Sequence, residues 1–186
     1  MSLVALMDWL THNWALVGGI LTLLLVSLPG VWLRWQQEKR HQREERSKWQ
    51  KLVTKANNLA KKGEILLQFR ECREDAEKML LEAIEIYQEA TPLDRPSRQE
   101  VADLWFRIGK AYSQIGWIDY AEDALKKAVQ CWGKHPEAWY ELAMVQISFS
   151  VPLKDREAIQ SLRKYLQINP SDKDARFLLK ELEKNC

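Results

Sequence analysis

The sequence predicts an all-α protein with a single amino-terminal transmembrane helix, followed by an α-solenoid of about three helix pairs and a carboxyl-terminal capping helix. Three observations lead to this fold class. Residues 14–33 contain no charged side chain. Residues 102–128 place apolar side chains at helical spacing, and part of that pattern recurs 34 positions later. Repeated helix pairs of this kind stack on their neighbours to form solenoids.

Residues 14–33 are predicted to cross a membrane. Eleven of these positions are Leu, Ile or Val, and a helix of this length reaches about 30 Å, the thickness of the hydrocarbon core. Trp14 lies at one end, and Trp32 and Trp35 lie at the other, as aromatic side chains do at membrane interfaces. A buried core helix and a cleaved signal peptide are the alternatives, but the first would need a polar face and the second a basic amino-terminal region.

The charges beside this stretch predict its orientation. Residues 1–13 contain no Lys or Arg, whereas Arg34 begins a run with a net charge of +7 that extends to Lys62. The positive-inside rule then places a short amino-terminal tail outside and the remaining chain on the cytoplasmic or stromal side. Residues 34–48 mix both signs of charge and are predicted to form a basic juxtamembrane linker, either a solvated helical stalk or a flexible segment. Its basic excess could also contact anionic lipid.

A repeat signature begins after residue 101. Its first half is Trp105-x-x-Ile108-Gly109-x-x-Tyr112, and its second half is Ala121-x-x-x-Leu125. The large residues share one face of a first helix, and the small residues allow a second helix to cross closely. This pattern resembles the tetratricopeptide repeat, and Trp139, Leu142 and Ala143 repeat it in part. The resemblance implies a protein-binding module built from antiparallel helix pairs.

The solenoid is predicted to occupy residues 49–186. It divides into a degenerate repeat over residues 49–90, a clear repeat over 102–135, a repeat with a turn insertion over 136–170, and a capping helix over 173–184. Gly63 is expected to end or bend the first helix. Ser97 and Glu100 form a capping-box pattern, and Asp119 is placed to cap the second helix of the clear repeat, with Glu122 three residues later.

No pattern in the sequence suggests catalysis, a cofactor or a metal. The three histidines lack the spacing of metal ligands, and the three cysteines are far apart with no CxxC pair. A basic linker next to an acidic remainder argues against a nucleic-acid-binding domain. We therefore expect no enzyme activity, no small-molecule substrate and no nucleic-acid partner.

The expected functional feature is a groove. In the family that the repeats resemble, positions 2, 5, 9 and 12 of each first helix point into a concave surface. Such a surface suits an apolar or amphipathic peptide. The alternative is that part of its aromatic row, formed by Phe106, Tyr140 and Phe177, packs against neighbouring helices. The predicted groove residues are Asp103, Phe106, Lys110, Ser113, Glu137, Tyr140, Met144, Ile147 and Phe177.

The layout of one span, a charged stalk and about three repeats resembles the membrane-anchored photosystem I assembly factors of cyanobacteria and plastids. That resemblance implies a thylakoid protein whose partners are subunits or assembly factors of a membrane complex. Two other functions are open. One is a bacterial scaffold for envelope or secretion machinery, and the other is an import-type receptor for amphipathic peptides.

Overall fold

The computed structural model of this 186-residue chain describes residues 14–92, 97–149 and 152–185, with side chains described from Gly30 onward except at positions 152, 153 and 185. The predicted tail, residues 1–13, lies outside this part. The described residues contain seven α-helices and one short 3-10 helix, Arg70–Cys72, and no strand. The α-helices are α1 (Trp14–Leu66), α2 (Arg73–Ala90), α3 (Arg98–Ile115), α4 (Ile118–Cys131), α5 (Pro136–Ser148), α6 (Pro152–Ile168) and α7 (Lys173–Asn185).

The chain forms two compact units, residues 1–45 and residues 46–186, and α1 contributes to both. In the first unit, Trp32 and Trp35 are more than half exposed. The Lys39 ammonium lies 3.9 Å from the centroid of the Trp35 ring. Residues 34–48, predicted as a charged stalk or linker, are helical throughout.

The predicted membrane anchor is wrong. Among the described residues, no helix is long and apolar enough to cross a membrane. The prediction assigned residues 14–33 to a membrane span and residues 34–48 to a helical stalk or a flexible linker. In the structure they begin the 53-residue helix α1, which continues without interruption to Leu66.

This correction also removes the interfacial roles predicted for Trp32, Arg34 and Trp35, and the single-pass and thylakoid localisation that depended on the span. The side chain of Trp14 lies outside the described part. Ten Lys and Arg residues between positions 34 and 62 belong to the same helix as the apolar stretch. The apolar stretch over residues 14–33 is therefore only part of a longer helix.

The second unit is an all-α solenoid. Each helix from α2 to α7 packs against the next, and the last part of α1 shares a core with α2 and α3, where Ala56, Leu80 and Ile108 have no exposed surface. A second cluster joins α4 to α5 around Leu125. A third joins α5 to α6 and α7, where Ala175 is fully buried.

Two glycines allow close contacts between paired helices. A Cβ at Gly109 would lie 2.6 Å from Leu125 Cγ, and a Cβ at Gly63 would lie 2.8 Å from Leu80 Cγ. Gly63 was expected to end or bend the first helix, but α1 continues to Leu66. Gly63 therefore has the packing role in the first helix pair that Gly109 has in the second.

Two of the sequence signals for helix ends are confirmed and one is wrong. Ser97 and Glu100 form the predicted capping box at the start of α3, and Pro136 occupies the first turn of α5. Asp119, predicted to cap α4, instead lies inside its first turn, and the N-cap residue is Trp117, which makes no side-chain capping bond. Glu122 consequently has no role in a capping box and points into the protein, where 5% of its surface is exposed.

Candidate partner-binding surface

Helix α3 presents three of the predicted groove residues together. Leu104 and Ile108 are 1% and 0% exposed, and they fix the buried face of the helix. Asp103, Phe106 and Lys110 are half-buried. Their spacing of three and four residues places them along one side of α3. A cleft lies on each side of Phe106.

The first cleft lies between the last part of α1 and α3, and we call it the polar cleft. It has a volume of about 390 Å³. Phe106 and Tyr87 contribute aromatic surface to its lining. Its polar lining residues are Asn57, Lys61, Glu64, Arg107, Lys110 and Gln114.

Hydrogen bonds between helices hold the polar cleft in shape. Glu64 accepts bonds from Lys110 and Gln114, both at 2.9 Å. Burial alone would raise the pKa of Glu64, but these bonds outweigh burial and the pKa is lowered. Glu64 is therefore ionised at neutral pH, and Lys110, one of the predicted groove residues, forms an ion pair with it.

A second connection in the polar cleft involves Asn57. Its side-chain oxygen accepts from the Tyr87 hydroxyl at 2.6 Å and from the Arg107 guanidinium at 3.1 Å. Arg107 also forms a 2.8 Å ion pair with Asp103. The two cations that α3 contributes to the polar cleft, Arg107 and Lys110, therefore have anionic partners, and Lys61 of α1 is a third cation in the lining.

The second cleft lies between Trp49 of α1, the first turns of α3 and the loop before α5, and we call it the aromatic cleft. It has a volume of about 540 Å³. The Phe106 and His135 ring centroids are 5.0 Å apart, and Trp132 lies edge-on to His135 at 5.6 Å. The complete lining is Trp49, Gln99, Glu100, Asp103, Phe106, Trp132, His135 and Glu137.

His135 is uncharged at neutral pH. Burial lowers its pKa, although the nearby carboxylate of Glu137 acts in the opposite direction. Its Nδ1 lies 3.2 Å from the Ala138 backbone nitrogen and 3.1 Å from a Glu137 carboxylate oxygen. A neutral ring can accept the Ala138 N–H and so cap α5, and the contact with Glu137 becomes an ion pair only when the ring is protonated.

The structure brings some of the predicted groove residues together and separates others. Asp103, Phe106 and Glu137 line the aromatic cleft, and Phe106 and Lys110 line the polar cleft. The ring centroids of Tyr140 and Tyr165 are 5.2 Å apart, in the cluster that joins α5 to α6 and α7. Within the described part of the chain, the linings of the two clefts do not include the other predicted residues: Ser113, Met144, Ile147 and Phe177. Phe177 is 67% exposed.

Several residues of the clefts were absent from the predicted groove. Trp49 was predicted only as the first residue of the solenoid, and Asn57, Arg107 and Trp132 had no predicted role. Their contribution depends on the approach of α1 and of the loop before α5 to α3. Arg107 could have been added to the predicted groove because it directly follows Phe106 on a half-buried helix face.

Comparisons with known proteins agree with this fold. Residues 102–130 match the family model described as tetratricopeptide repeat. The first TPR of Spaghetti (RPAP3), solved with an HSP90 peptide, has a TM-score of 0.52 at 18% identity, covering 72% of this chain and 96% of that one. The TPR domain of Arabidopsis OM64 gives 0.51 at 20% identity, covering 73% and 99%. The crystal structure of MamA gives 0.52 at 21% identity, covering 74% of each chain.

At these identities the similarity establishes the fold alone. No curated protein matches the sequence significantly. The family match and the similar folds together support the tetratricopeptide repeat assignment. The resemblance to photosystem I assembly factors is not confirmed. Residues 102–130 thus match the tetratricopeptide repeat, and the solenoid has the fold of the similar TPR structures.

Proposed function

We propose that this protein binds a peptide segment of a protein partner in the two clefts beside Phe106. The observation that carries the proposal is that Phe106 lines both clefts, so a peptide crossing α3 would contact its ring from either side. The combined surface has apolar walls, for contact area, and ordered polar groups that can select a sequence. It does not depend on catalysis or on a cofactor.

The fold supports this proposal in general terms. In a similar solved structure, the first TPR of Spaghetti (RPAP3) is bound to the HSP90 peptide SRMEEVD. That peptide ends in a strongly acidic sequence. The aromatic cleft of this chain is lined by Glu100, Asp103 and Glu137, which would repel such a ligand. We therefore propose peptide binding without proposing that peptide.

A role in the assembly of photosystem I is not proposed. It was inferred from a layout that included a membrane span, and the described residues contain no such helix. The envelope-scaffold alternative included the same span, whereas the import-receptor alternative was suggested by the aromatic groove. Peptide binding in the solenoid does not require the span.

The proposal is tested by selecting random short peptides on the immobilised full-length chain and measuring the affinity of the selected peptides. We expect Phe106→Leu to weaken binding roughly tenfold, because the ring contributes to both clefts. Leucine keeps an apolar side chain at a position that packs against the α4–α5 cluster. Circular dichroism should show unchanged helix content.

The matched control is Tyr120→Leu. Tyr120 is an aromatic residue of the same repeat and is 60% exposed. It is not among the described residues that line either cleft. Its replacement should leave the affinities unchanged. Selected peptides that bind Phe106→Leu as tightly as wild type would refute the proposed site.

A further inference from the structure

The aromatic cleft combines aromatic rings with unbalanced negative charge. Trp49, Phe106 and Trp132 supply aromatic surface, and three carboxylates lie in the same lining. Among the described residues, this lining contains no Lys or Arg. Aromatic faces attract cations through their quadrupole, and carboxylates form charge-assisted hydrogen bonds with them. From this arrangement we infer that the aromatic cleft binds the guanidinium of an arginine side chain in the partner peptide.

The protein already contains one such contact at the edge of this cleft. The guanidinium carbon of Arg46 lies 4.6 Å from the centroid of the Trp49 ring, and Arg46 forms an ion pair with Glu100. The lining therefore holds one guanidinium between an aromatic face and a carboxylate. A partner arginine would repeat this arrangement deeper in the cleft, against Phe106 and Trp132.

The carboxylates differ in how far they are neutralised. Glu100 is paired with Arg46, and Asp103 is paired with Arg107. The partner of Glu137 among the described residues is His135, which is uncharged at neutral pH, and the Glu137 side chain is 66% exposed. Glu137 thus keeps its negative charge and is accessible to a ligand, so it is the residue that we assign to the arginine.

Trp49 supplies an independent sign that the cleft lacks a partner. Its side chain is 9% exposed, and its indole nitrogen is buried with no hydrogen-bond acceptor among the described residues. A buried donor without an acceptor destabilises the folded protein. A peptide seated in the cleft brings backbone carbonyl oxygens that can serve as acceptors after a small movement of the rim.

Arginine fits this site better than lysine does. The guanidinium is planar, stacks on aromatic rings and is less strongly hydrated than an ammonium, so it loses less on entering a mainly aromatic cleft. Its paired N–H groups also match both oxygens of a carboxylate such as Glu137.

The test uses the full-length chain and a short Gly/Ser peptide, blocked at both ends, with one central arginine. Binding is followed by NMR through the indole N–H signals of Trp49 and Trp132, each assigned by substitution. We expect millimolar binding that shifts the Trp132 signal. A twin peptide with citrulline, which has the same shape and no charge, should bind roughly tenfold more weakly.

Glu137→Gln should weaken the arginine peptide by roughly the same factor and leave the citrulline peptide unaffected. The control variant is Asp123→Asn, because Asp123 is an exposed carboxylate on α4 outside the lining. Its affinity for the arginine peptide should equal that of wild type. Equal binding of the arginine and citrulline peptides would overturn the inference, as would tighter binding of a trimethyl-lysine peptide.

This inference rests on the proposed peptide-binding function, but the two can fail separately. The selected peptides could bind in a way that depends on Phe106 while the arginine and citrulline peptides bind with equal affinity. In that case the proposed function stands and the arginine site is rejected. If no peptide binding depends on Phe106, both are rejected.

Discussion

At the scale of single residues, Glu122 shows how strongly tertiary contacts can reassign a side chain. The sequence placed it in the first turn of a helix as part of a capping box. In the structure it is buried and accepts hydrogen bonds from Lys154 at 2.7 Å and from Gln146 at 3.3 Å, and it pairs with Lys126 at 2.9 Å. Lys154 comes from the first turn of α6. The start of α6 thus supplies a partner for a buried charge.

We predict that Glu122→Gln lowers the free energy of unfolding by about 3 kcal/mol at pH 7. The substitution removes the shorter ion pair of the Lys154 ammonium, whose side chain is 22% exposed, and leaves its longer contact with Glu157, at 3.4 Å. Urea unfolding followed by circular dichroism measures the change. The matched control is Glu157→Gln, because the more exposed Glu157 makes longer contacts with Lys126 and Lys154. That change should cost less than about 1 kcal/mol, and an equal loss in both variants would contradict our account of Glu122.

At the scale of helices, the first and second helix pairs use the same packing device. Gly63 of α1 faces Leu80 and Ala76 of α2, and Gly109 of α3 faces Leu125 and Ala121 of α4. The sequence indicated the second arrangement through its repeat signature. It did not indicate the first, because the surrounding Trp and Leu of the signature are missing.

We predict that Gly63→Ala and Gly109→Ala each destabilise the protein by about 1–3 kcal/mol. The added methyl group would approach the leucine of the facing helix to 2.8 Å or 2.6 Å, and overpacking of this kind outweighs the higher helix propensity of alanine. Chemical denaturation midpoints report the loss. In the control Gly133→Ala, the nearest atom to the new Cβ is 3.7 Å away, so stability should stay within about 0.5 kcal/mol. If Gly63→Ala instead increased the stability of the protein, α1 and α2 could move apart at this position without a cost in free energy.

At the scale of the whole molecule, ionised carboxylates link stability to pH. Hydrogen bonding by Arg46 is the main cause that lowers the pKa of Glu100 from 4.5 to about 2. Burial acts to raise the pKa of Glu122, but the bonds from Lys154, Lys126 and Gln146 outweigh it and lower the pKa to about 2. Both groups are more acidic in the folded chain than in the unfolded chain. Their stabilisation is therefore complete above about pH 4.5 and is lost as the pH falls toward 2.

We predict that the free energy of unfolding begins to decline as the pH falls below about 6.5, because the unfolded chain protonates His135 more readily than the folded chain does, and that it falls steeply below about pH 4.5. Glu122 alone should contribute a loss of about 2 kcal/mol by pH 3, given its pKa of about 2. Glu100 contributes less, because its side chain is 29% exposed and solvent screens the interaction. Urea unfolding at a series of pH values measures the profile.

The same series separates Glu122 from the other carboxylates. Glu122→Gln lacks this titrating group, so the difference in stability between wild type and variant should shrink as the pH falls from 7 to 3. A difference that stays constant over this range would mean that Glu122 is not responsible for the acid sensitivity.

Local sequence determined the helical repeats of this protein. The spacing of Trp105, Ile108, Gly109 and Tyr112, and its partial return at Trp139, is a property of a helix surface and is visible without coordinates. The capping box at Ser97 is equally local, because its partners are three residues apart. Asp103, Phe106 and Glu137 were predicted from the positions that face the groove in the family that the repeats resemble, and they line the aromatic cleft.

Only the tertiary structure decided where the clefts lie and which charges they contain. Trp49, Asn57 and Glu64 reach α3 from a helix about fifty residues earlier in the chain, as the hydrogen bonds to Arg107 and Gln114 show. Hydropathy over residues 14–33 likewise gave no information on the length of the helix that contains them. Spacing along one helix fixes which side chains share a face. The helices that pack against that face, and the ion pairs across the contact, depend on long-range packing that no local pattern encodes.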